Sequence, residues 1–199
     1  MRSRIALVAV VVVVTVMAVP CSGWAQTARE TVQTEVGKIV TTIQAPGFKD
    51  QPREKQISDI RQIINAIFDY AELSKRTLGR KWKKFSPAQK EEFMALFSEL
   101  LENTYADRVL AYTDEKINFG NEVALKKTRV EVESTIITKD SKSVPLNYRM
   151  IQKNGNWRVY DVVIEGISLV QNYRSQFREI LTTKTPQDLI DTLNEKVKK

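Results

Sequence analysis

The sequence predicts a single α+β domain in which helices precede and follow a four-stranded antiparallel sheet. Three observations support this fold class. Apolar residues recur with a helical period in the first half of the chain, alternate with polar residues from 117 to 164, and then return to the helical period. Strands and helices that segregate along a chain are typical of the α+β class. The chain also lacks an internal repeat, a low-complexity run or a linker to a second domain.

The first 25 residues have the features of a signal peptide. Arg2 and Arg4 precede an unbroken apolar run at 5–19, and Gly23-Trp24-Ala25 fits the small-x-small rule for a signal-peptidase site. This 15-residue run is shorter than the roughly 17–25 residues of a membrane-spanning helix. We therefore expect export, cleavage after Ala25 and a mature domain at 26–199. An uncleaved anchor is the alternative, and a lipoprotein fits less well because a proline precedes the only cysteine.

Three apolar stripes predict helices before the sheet. The first runs from Val32 to Ile43 and stops at Ala45-Pro46-Gly47, and the second runs from Ile57 to Phe68. Ser86-Pro87-Ala88-Gln89 begins the third helix, since serine can cap, proline suits the first turn and glutamine completes a capping box. The wide apolar face of this helix comprises Phe93, Leu96, Phe97, Leu100, Leu101 and Tyr105.

Four strands in meander order follow. Apolar residues alternate at 117–125, 130–136 and 144–150, and the last strand is predicted at 157–164. Asn154-Gly155 predicts a tight type I′ hairpin before that strand. Such a sheet has one apolar face that other elements must cover.

Two further helices are predicted after the sheet and supply part of this cover. An apolar stripe runs from Leu169 to Leu181, and Thr185-Pro186 begins a last helix that ends near Val197.

The composition argues against an enzyme. The chain has no histidine, and its one cysteine, Cys21, lies in the segment expected to be removed. The mature protein would thus have no imidazole base, thiol nucleophile, disulfide or soft metal site. The seven glycines are scattered without a phosphate-binding or nucleophile-elbow motif. A net charge of +7 favours anionic surfaces modestly. We expect no cofactor, no metal and no nucleic acid.

Two segments of the chain closely resemble the toluene-tolerance family, which comprises the periplasmic phospholipid carriers of the MlaC type. These segments are FDYAELSKRTLGRKWKKFSPAQKEEFMALFSELLENTYADRVLAYTDEKINF and VPLNYRMIQKNGNWRVYDVVIEGISLVQNYRSQFREIL. The resemblance covers the chain from about Phe68 to Leu181. It is most specific from Trp157 to Phe177, where strand, acid, glycine and helix follow in the family's order.

The resemblance implies a periplasmic protein that holds phospholipid as its cargo, with the acyl chains in an apolar cavity. The cavity would lie between helices and a curved sheet of nuclear-transport-factor (NTF2-like) shape. Such carriers pass lipid between an outer-membrane lipoprotein–porin complex and an inner-membrane ABC transporter whose MCE-domain subunit receives it. Two alternatives remain open. In the first, the protein is a hopanoid-handling relative from the same family. In the second, it is a non-catalytic envelope adaptor whose aromatic residues fill a core.

The lipid-facing residues are predicted from the sheet face and the helices over it. The predicted set is Phe93, Phe97, Leu100, Val132, Tyr148, Met150, Val163, Leu169 and Tyr173. Met150 has an additional argument, because a flexible thioether adapts to chains of varied shape. Ordinary core packing is the alternative for each residue, since periodicity does not separate a filled core from a lined cavity.

Two acids, Asp161 and Glu165, lie within the most apolar part of the chain. A buried carboxylate is costly unless it is paired. We expect both to hold the joint between the last strand and the next helix, with Arg174, Arg178 or the pair Arg76/Arg80 as the countercharge. A headgroup contact or a proton-linked role is the alternative.

A basic cluster precedes the third helix and is the best candidate for partner docking. It comprises Arg76, Arg80, Lys81, Trp82, Lys83 and Lys84. An acidic partner or an anionic leaflet would suit this cluster, with the amphipathic Trp82 at the boundary. A solvated turn is the alternative.

Overall fold

The computed structural model describes residues 26–198, which form six α-helices and five β-strands. The helices are α1 (Ala28–Gln44), α2 (Arg53–Ile67), α3 (Tyr70–Leu78), α4 (Pro87–Leu110), α5 (Leu169–Thr183) and α6 (Pro186–Val197). The strands are β1 (Lys116–Lys126), β2 (Arg129–Ile137), β3 (Ser143–Lys153), β4 (Asn156–Ile164) and β5 (Ile167–Ser168). Short 3₁₀ turns occur at Phe48–Asp50 and Gly79–Lys84. The predicted α+β class is confirmed.

The strands form one antiparallel meander in the order β1-β2-β3-β4-β5. The predicted hairpin before β4 is present, with Asn154 at φ 50° and Gly155 at φ 79°. The sheet has five strands rather than the predicted four, because Glu165 (φ 50°) and Gly166 (φ 82°) make a second tight turn after β4. A turn with two positive φ values matches the twist of the strands it joins.

Capping boxes fix the start of three helices. Ser86 and Gln89 form the predicted capping box at α4, with the Gln89 backbone N–H donating to Ser86 Oγ at 3.2 Å. Thr185 likewise begins α6 together with Asp188, and Thr27 begins α1. Each box satisfies backbone N–H groups that have no partner within the helix. The predictions for Ser86 and Thr185 are confirmed.

A β-bulge in β4 changes which side chains share a face. Arg149 pairs with Asp161 while the next residue, Met150, pairs with Val159, which leaves Tyr160 as the extra residue of β4. A bulge shifts the alternation of side chains by one position. The side chains of β4 that point to one face therefore occupy one set of alternate positions before Tyr160 and the other set after it.

The buried apolar residues form three clusters. The helical cluster joins α3, α4, α5 and α6 and comprises Leu73, Leu78, Phe85, Phe93, Phe97, Leu101, Val170, Tyr173, Phe177, Leu181, Leu189, Ile190 and Leu193. The sheet cluster joins α1 and the end of α2 to one face of the sheet and comprises Ala28, Val32, Ile67, Val132, Met150, Val159 and Val162. A small third cluster comprises Ile43, Phe48 and Ile60.

Among residues 26–198, no helix is both long enough and apolar enough to cross a membrane. The predicted signal peptide and its cleavage after Ala25 lie outside the described residues.

Candidate functional site

The apolar face of the sheet carries the candidate site. Val132 pairs with Tyr148 across β2 and β3, and Met150 pairs with Val159 across β3 and β4. Val132, Met150 and Val159 have no exposed surface. Because alternate residues of a strand share a face, these side chains form a continuous apolar floor.

The helix α1 lies over this floor and is attached to β1 by polar contacts. Ala28 and Val32 of α1 pack in the sheet cluster. The Arg29 backbone N–H donates to Glu122 Oε1 at 2.6 Å, and its guanidinium donates to the Phe119 carbonyl at 3.1 Å. Both acceptors lie beside an irregularity in the pairing of β1 with β2. The attachment holds one end of α1 against the sheet edge.

Large apolar side chains that keep part of their surface accessible surround the floor. They are Val36, Phe68, Phe119, Val130, Leu146, Tyr148, Trp157, Ile164 and Leu169. The sheet cluster thus has more partly buried than buried members, whereas thirteen buried residues outnumber six partly buried ones in the helical cluster. The apolar face of the sheet is therefore incompletely covered. Partly accessible apolar side chains grouped in this way are a candidate surface for an apolar ligand.

Tyr148 illustrates the character of this face. Its ring stacks with that of Phe119 at a centroid distance of 6.4 Å. The side chain retains partial exposure, yet burial raises the pKa of its hydroxyl above the ordinary value. Tyr148 therefore belongs to the partly accessible rim and not to the fully buried floor.

The predicted residues on the helices lie elsewhere. Phe93, Phe97 and Tyr173 belong to the helical cluster, and Leu100 packs against it. Phe97 contacts Tyr173 and Phe177 in edge-to-face geometry at 5.0 and 5.3 Å between ring centroids. Such aromatic pairs add about 0.5–1.5 kcal/mol each beyond the burial of their area. These rings stabilise the packing of α4 on α5.

The nine predicted lipid-facing residues do not share one surface. Val132, Tyr148, Met150 and Leu169 lie in or against the sheet cluster. Val163 is buried but pairs with Asn147, and it lies on the opposite face of the sheet from Tyr148, which pairs with Val162. The bulge at Tyr160 causes this, since uninterrupted alternation from Val159 would place Val163 with the floor.

Asp161 joins β4 to the start of α5, as predicted. It is only 2% exposed, and its carboxylate accepts hydrogen bonds from Ser168 Oγ at 2.6 Å and the Val170 backbone N–H at 3.0 Å. Its countercharge is Arg149, whose Nη1 lies 3.1 Å away, so the prediction of Arg174, Arg178, Arg76 or Arg80 was wrong. Arg149 comes from the neighbouring strand β3, a pairing that chain order does not reveal.

Glu165 is exposed in the turn between β4 and β5. The prediction that it is a buried acid at the joint was therefore wrong. Its contribution is to adopt the positive φ that the turn requires.

The predicted docking residues face in different directions. Arg76 pairs with Glu72 at 2.6 Å and lies 4.0 Å over the Tyr160 ring, while Lys81 Nζ donates to the Leu181 carbonyl at 2.9 Å. Trp82 packs against the helical cluster. The remaining three side chains are exposed: Arg80, Lys83 and Lys84.

The geometry defines a class of protein. An α+β domain with a floor of fully buried apolar residues and a partly accessible apolar rim has the features of the class of proteins that bind apolar ligands without chemistry. Within residues 26–198, no group of histidine, cysteine or acidic side chains is arranged to hold a metal ion.

The chain belongs to the MlaC family, because the family model for the MlaC protein matches residues 33–195. It is 29% identical over 172 residues to the intermembrane phospholipid transport system binding protein MlaC of Haemophilus influenzae, covering 82% of this chain and 78% of that protein. It is 23% identical to the toluene tolerance protein ttg2D of Pseudomonas putida, covering 85% and 80% of the two chains.

A solved structure supports the same fold. The phospholipid-binding protein of Ralstonia solanacearum, solved in complex with a phospholipid, superposes with a TM-score of 0.78 at 27% identity. The match covers 85% of this chain and 96% of that one. The resemblance to the toluene-tolerance family that the sequence predicted is confirmed.

Proposed function

We propose that this protein is a non-catalytic periplasmic carrier that binds a phospholipid with its acyl chains against the apolar face of the sheet. The incompletely covered sheet cluster is the observation that carries this proposal. Membership of the MlaC family and the phospholipid bound by the Ralstonia protein support the same ligand class. The lipid contacts would come from Val132, Tyr148, Met150 and Leu169 and from the accessible rim around them.

The hydrophobic effect makes this function feasible without any chemistry. Each buried methylene is stabilised by about 0.8 kcal/mol relative to water, so two chains of roughly 15 methylenes gain about 24 kcal/mol before the costs of binding. Escape into water is then slow. Transfer from one apolar environment to another nearly cancels the same free energy, so the carrier needs only partners that open a path.

Those partners are the finer part of the proposal. The outer-membrane lipoprotein–porin complex and the inner-membrane ABC transporter with its MCE-domain subunit would exchange lipid with the carrier. The names of the Haemophilus and Pseudomonas relatives, which refer to intermembrane phospholipid transport and to toluene tolerance, support this setting. The exposed side chains of Arg80, Lys83 and Lys84 are the part of the basic cluster available for docking.

Lipid contact at the other predicted residues stays a prediction. Phe93, Phe97, Leu100 and Tyr173 would reach an acyl chain only if α4 and α5 separated, and Val163 only from the far side of the sheet.

The test is native mass spectrometry of the mature protein purified without detergent, followed by extraction and identification of the lipid. We expect one bound two-chain phospholipid per protein. A hopanoid in its place would assign the protein to the hopanoid-handling relatives. An empty protein that takes up nothing from lipid vesicles would contradict the carrier and favour the adaptor.

A further inference from the structure

A recess with a basic lining lies where α3 and α5 meet the sheet. It has a volume of about 280 Å³ and is lined by Arg76, Leu125, Lys126, Arg129, Arg149, Tyr160, Asp161, Val170, Gln171 and Arg174. Five of these ten residues are basic and one is acidic. The recess shares no lining residue with the floor of the sheet cluster.

Register places this recess on the face of the sheet away from the sheet cluster. Glu131, Arg149 and Asp161 are aligned across β2, β3 and β4. These three residues directly precede Val132, Met150 and Val162 of the sheet cluster. Because neighbouring residues of a strand point to opposite faces, their side chains lie on the other face of the sheet. A lipid lying on the apolar face therefore does not fill the recess.

The positive charge in this recess exceeds what its own carboxylates neutralise. Arg149 pairs with Glu131 at 2.7 Å and with Asp161 at 3.1 Å, and Arg76 pairs with Glu72. The three other basic side chains, Lys126, Arg129 and Arg174, form no ion pair among the described residues.

The positions of the guanidinium groups also point to an anion. Arg174 Nε donates to the Arg76 carbonyl at 2.9 Å, which fixes the position of the guanidinium group. Because a carbonyl has no net charge, this bond does not neutralise the positive charge of Arg174. Arg76, Arg129 and Arg149 lie close enough to Tyr160 that their charges act to lower the pKa of its hydroxyl, although burial raises it more. Convergent guanidinium groups match the oxygens of a phosphate through paired hydrogen bonds.

We propose that this recess binds a phosphate-type oxyanion, either free phosphate or the phosphate of a lipid headgroup in a membrane surface. The site is separate from the cargo on the apolar face and goes beyond the proposed carrier function. Lys126 and Arg129 approach from the β1–β2 hairpin, and Arg174 approaches from α5. An anion bound there would bridge the hairpin and the helix.

The test titrates inorganic phosphate into the mature protein, with binding followed by amide chemical shifts and by melting temperature. Lys126→Gln/Arg129→Gln removes two charges that make no ion pair in the described chain, and Lys196→Gln/Lys198→Gln removes two exposed charges at the end of α6 as the matched control. We expect phosphate to shift resonances of the recess and to bind about tenfold more weakly, or worse, to the first variant. The control should bind as the unmodified protein does.

A second arm distinguishes the sources of the phosphate. Vesicles of phosphatidylglycerol and of phosphatidylcholine are sedimented with the protein, with and without inorganic phosphate. Sedimentation with the anionic vesicles that phosphate competes away, and that the recess variant loses, identifies the headgroup. Phosphate binding without sedimentation identifies free phosphate. The proposal is overturned if phosphate shifts no recess resonance, or if both double variants weaken binding equally.

Discussion

The Asp161 carboxylate accepts a 3.0 Å hydrogen bond from the backbone N–H of Val170, so an acid of β4 fixes the first turn of α5. The same carboxylate binds Ser168 Oγ, and Ser168 Oγ in turn accepts from the Gln171 backbone N–H at 3.0 Å. A carboxylate at a helix N-terminus also interacts favourably with the helix dipole. The joint therefore positions α5, whose residues contribute to the rim of the sheet cluster, to the basic recess and to the helical cluster.

Asp161→Ala should destabilise the protein severely. The substitution leaves Ser168 Oγ and the Val170 N–H without their acceptor, at about 1–3 kcal/mol for each buried donor, while Arg149 keeps Glu131 as its partner. Urea denaturation measures this loss. Glu179→Ala, which removes an exposed carboxylate from α5, is the control and should change stability little. Unchanged melting of Asp161→Ala with full lipid loading would contradict the structural role.

Leu169→Trp should reduce the amount of bound lipid while leaving the fold intact. Leu169 is a partly accessible member of the rim, so a larger side chain takes up space on the apolar face without entering the fully buried floor. We expect a loss of stability at or below the roughly 1–3 kcal/mol of an overpacked core. Native mass spectrometry measures the ratio of lipid to protein, and thermal melting measures the fold.

Phe97→Leu is expected to behave in the opposite way. Phe97 is 1% exposed within the helical cluster, and replacing its ring should cost about 1–3 kcal/mol of stability with lipid retained, because its aromatic contacts with Tyr173 and Phe177 are lost. If Phe97→Leu instead lost lipid while Leu169→Trp kept it, the acyl chains would lie among the helices.

Arg29→Ala should accelerate the release of lipid. The substitution removes the 3.1 Å contact of the guanidinium with the Phe119 carbonyl, which helps to hold α1 over the apolar floor. Exposed contacts of this type contribute about 0.2–1 kcal/mol, which corresponds to an increase of up to about fivefold in rate. Transfer of a fluorescent phospholipid to acceptor vesicles measures the rate. Lys38→Ala, on the same helix and paired only with Glu35, is the control. Equal rates in both variants would show that α1 does not limit release.

Glu102→Gln should be at least as stable as the unmodified protein at neutral pH. Burial raises the pKa of Glu102, and the opposing attraction of Arg61, 2.6 Å away, is the smaller effect. A carboxyl whose pKa is raised on folding lowers stability once it is ionised, so stability rises as the pH falls through the raised pKa. Glutamine mimics the protonated form. The two proteins should therefore converge toward pH 4 in urea denaturation.

Glu91→Gln, an exposed substitution near the start of α4, controls for the general effect of a lost negative charge. A difference between Glu102→Gln and the unmodified protein that does not change with pH would contradict the role of burial.

Lys83→Glu/Lys84→Glu should weaken transfer to the membrane complexes while leaving the bound lipid in place. Both side chains are exposed and distant from the floor of the sheet cluster. Reversal of charge at a docking surface mainly slows association. Lys196→Glu/Lys198→Glu has the same change in charge elsewhere and should transfer normally. Equal transfer by both variants would exclude the basic cluster from docking.

Local sequence signals predicted most of the elements, though not the short helix α3 or the strand β5, because each signal depends on neighbouring residues. Ser86 and Gln89 form their capping box within one turn, and Asn154-Gly155 closes its hairpin without help from the rest of the chain. The division of the chain into helical segments and a central run of strands follows from the periodicity of apolar residues, which is equally local.

The site was only partly predictable because it depends on register and on packing partners. The bulge at Tyr160 reverses the alternation in β4, and no residue type in that stretch marks it, so Val163 was placed on the wrong face. The apolar stripe of α4 predicts a buried face but does not say whether a sheet or another helix covers it. The structure brings α5 and α6 to that face, which places Phe93 and Phe97 among helices.

The separation of the helical cluster from the sheet cluster has a consequence for repeated use of the molecule. Most of the buried rings lie among α3, α4, α5 and α6, so their packing is complete whether or not the sheet face is occupied. In the proposed carrier, release of the lipid would leave this helical packing in place. The empty protein would then bind the next lipid molecule without refolding.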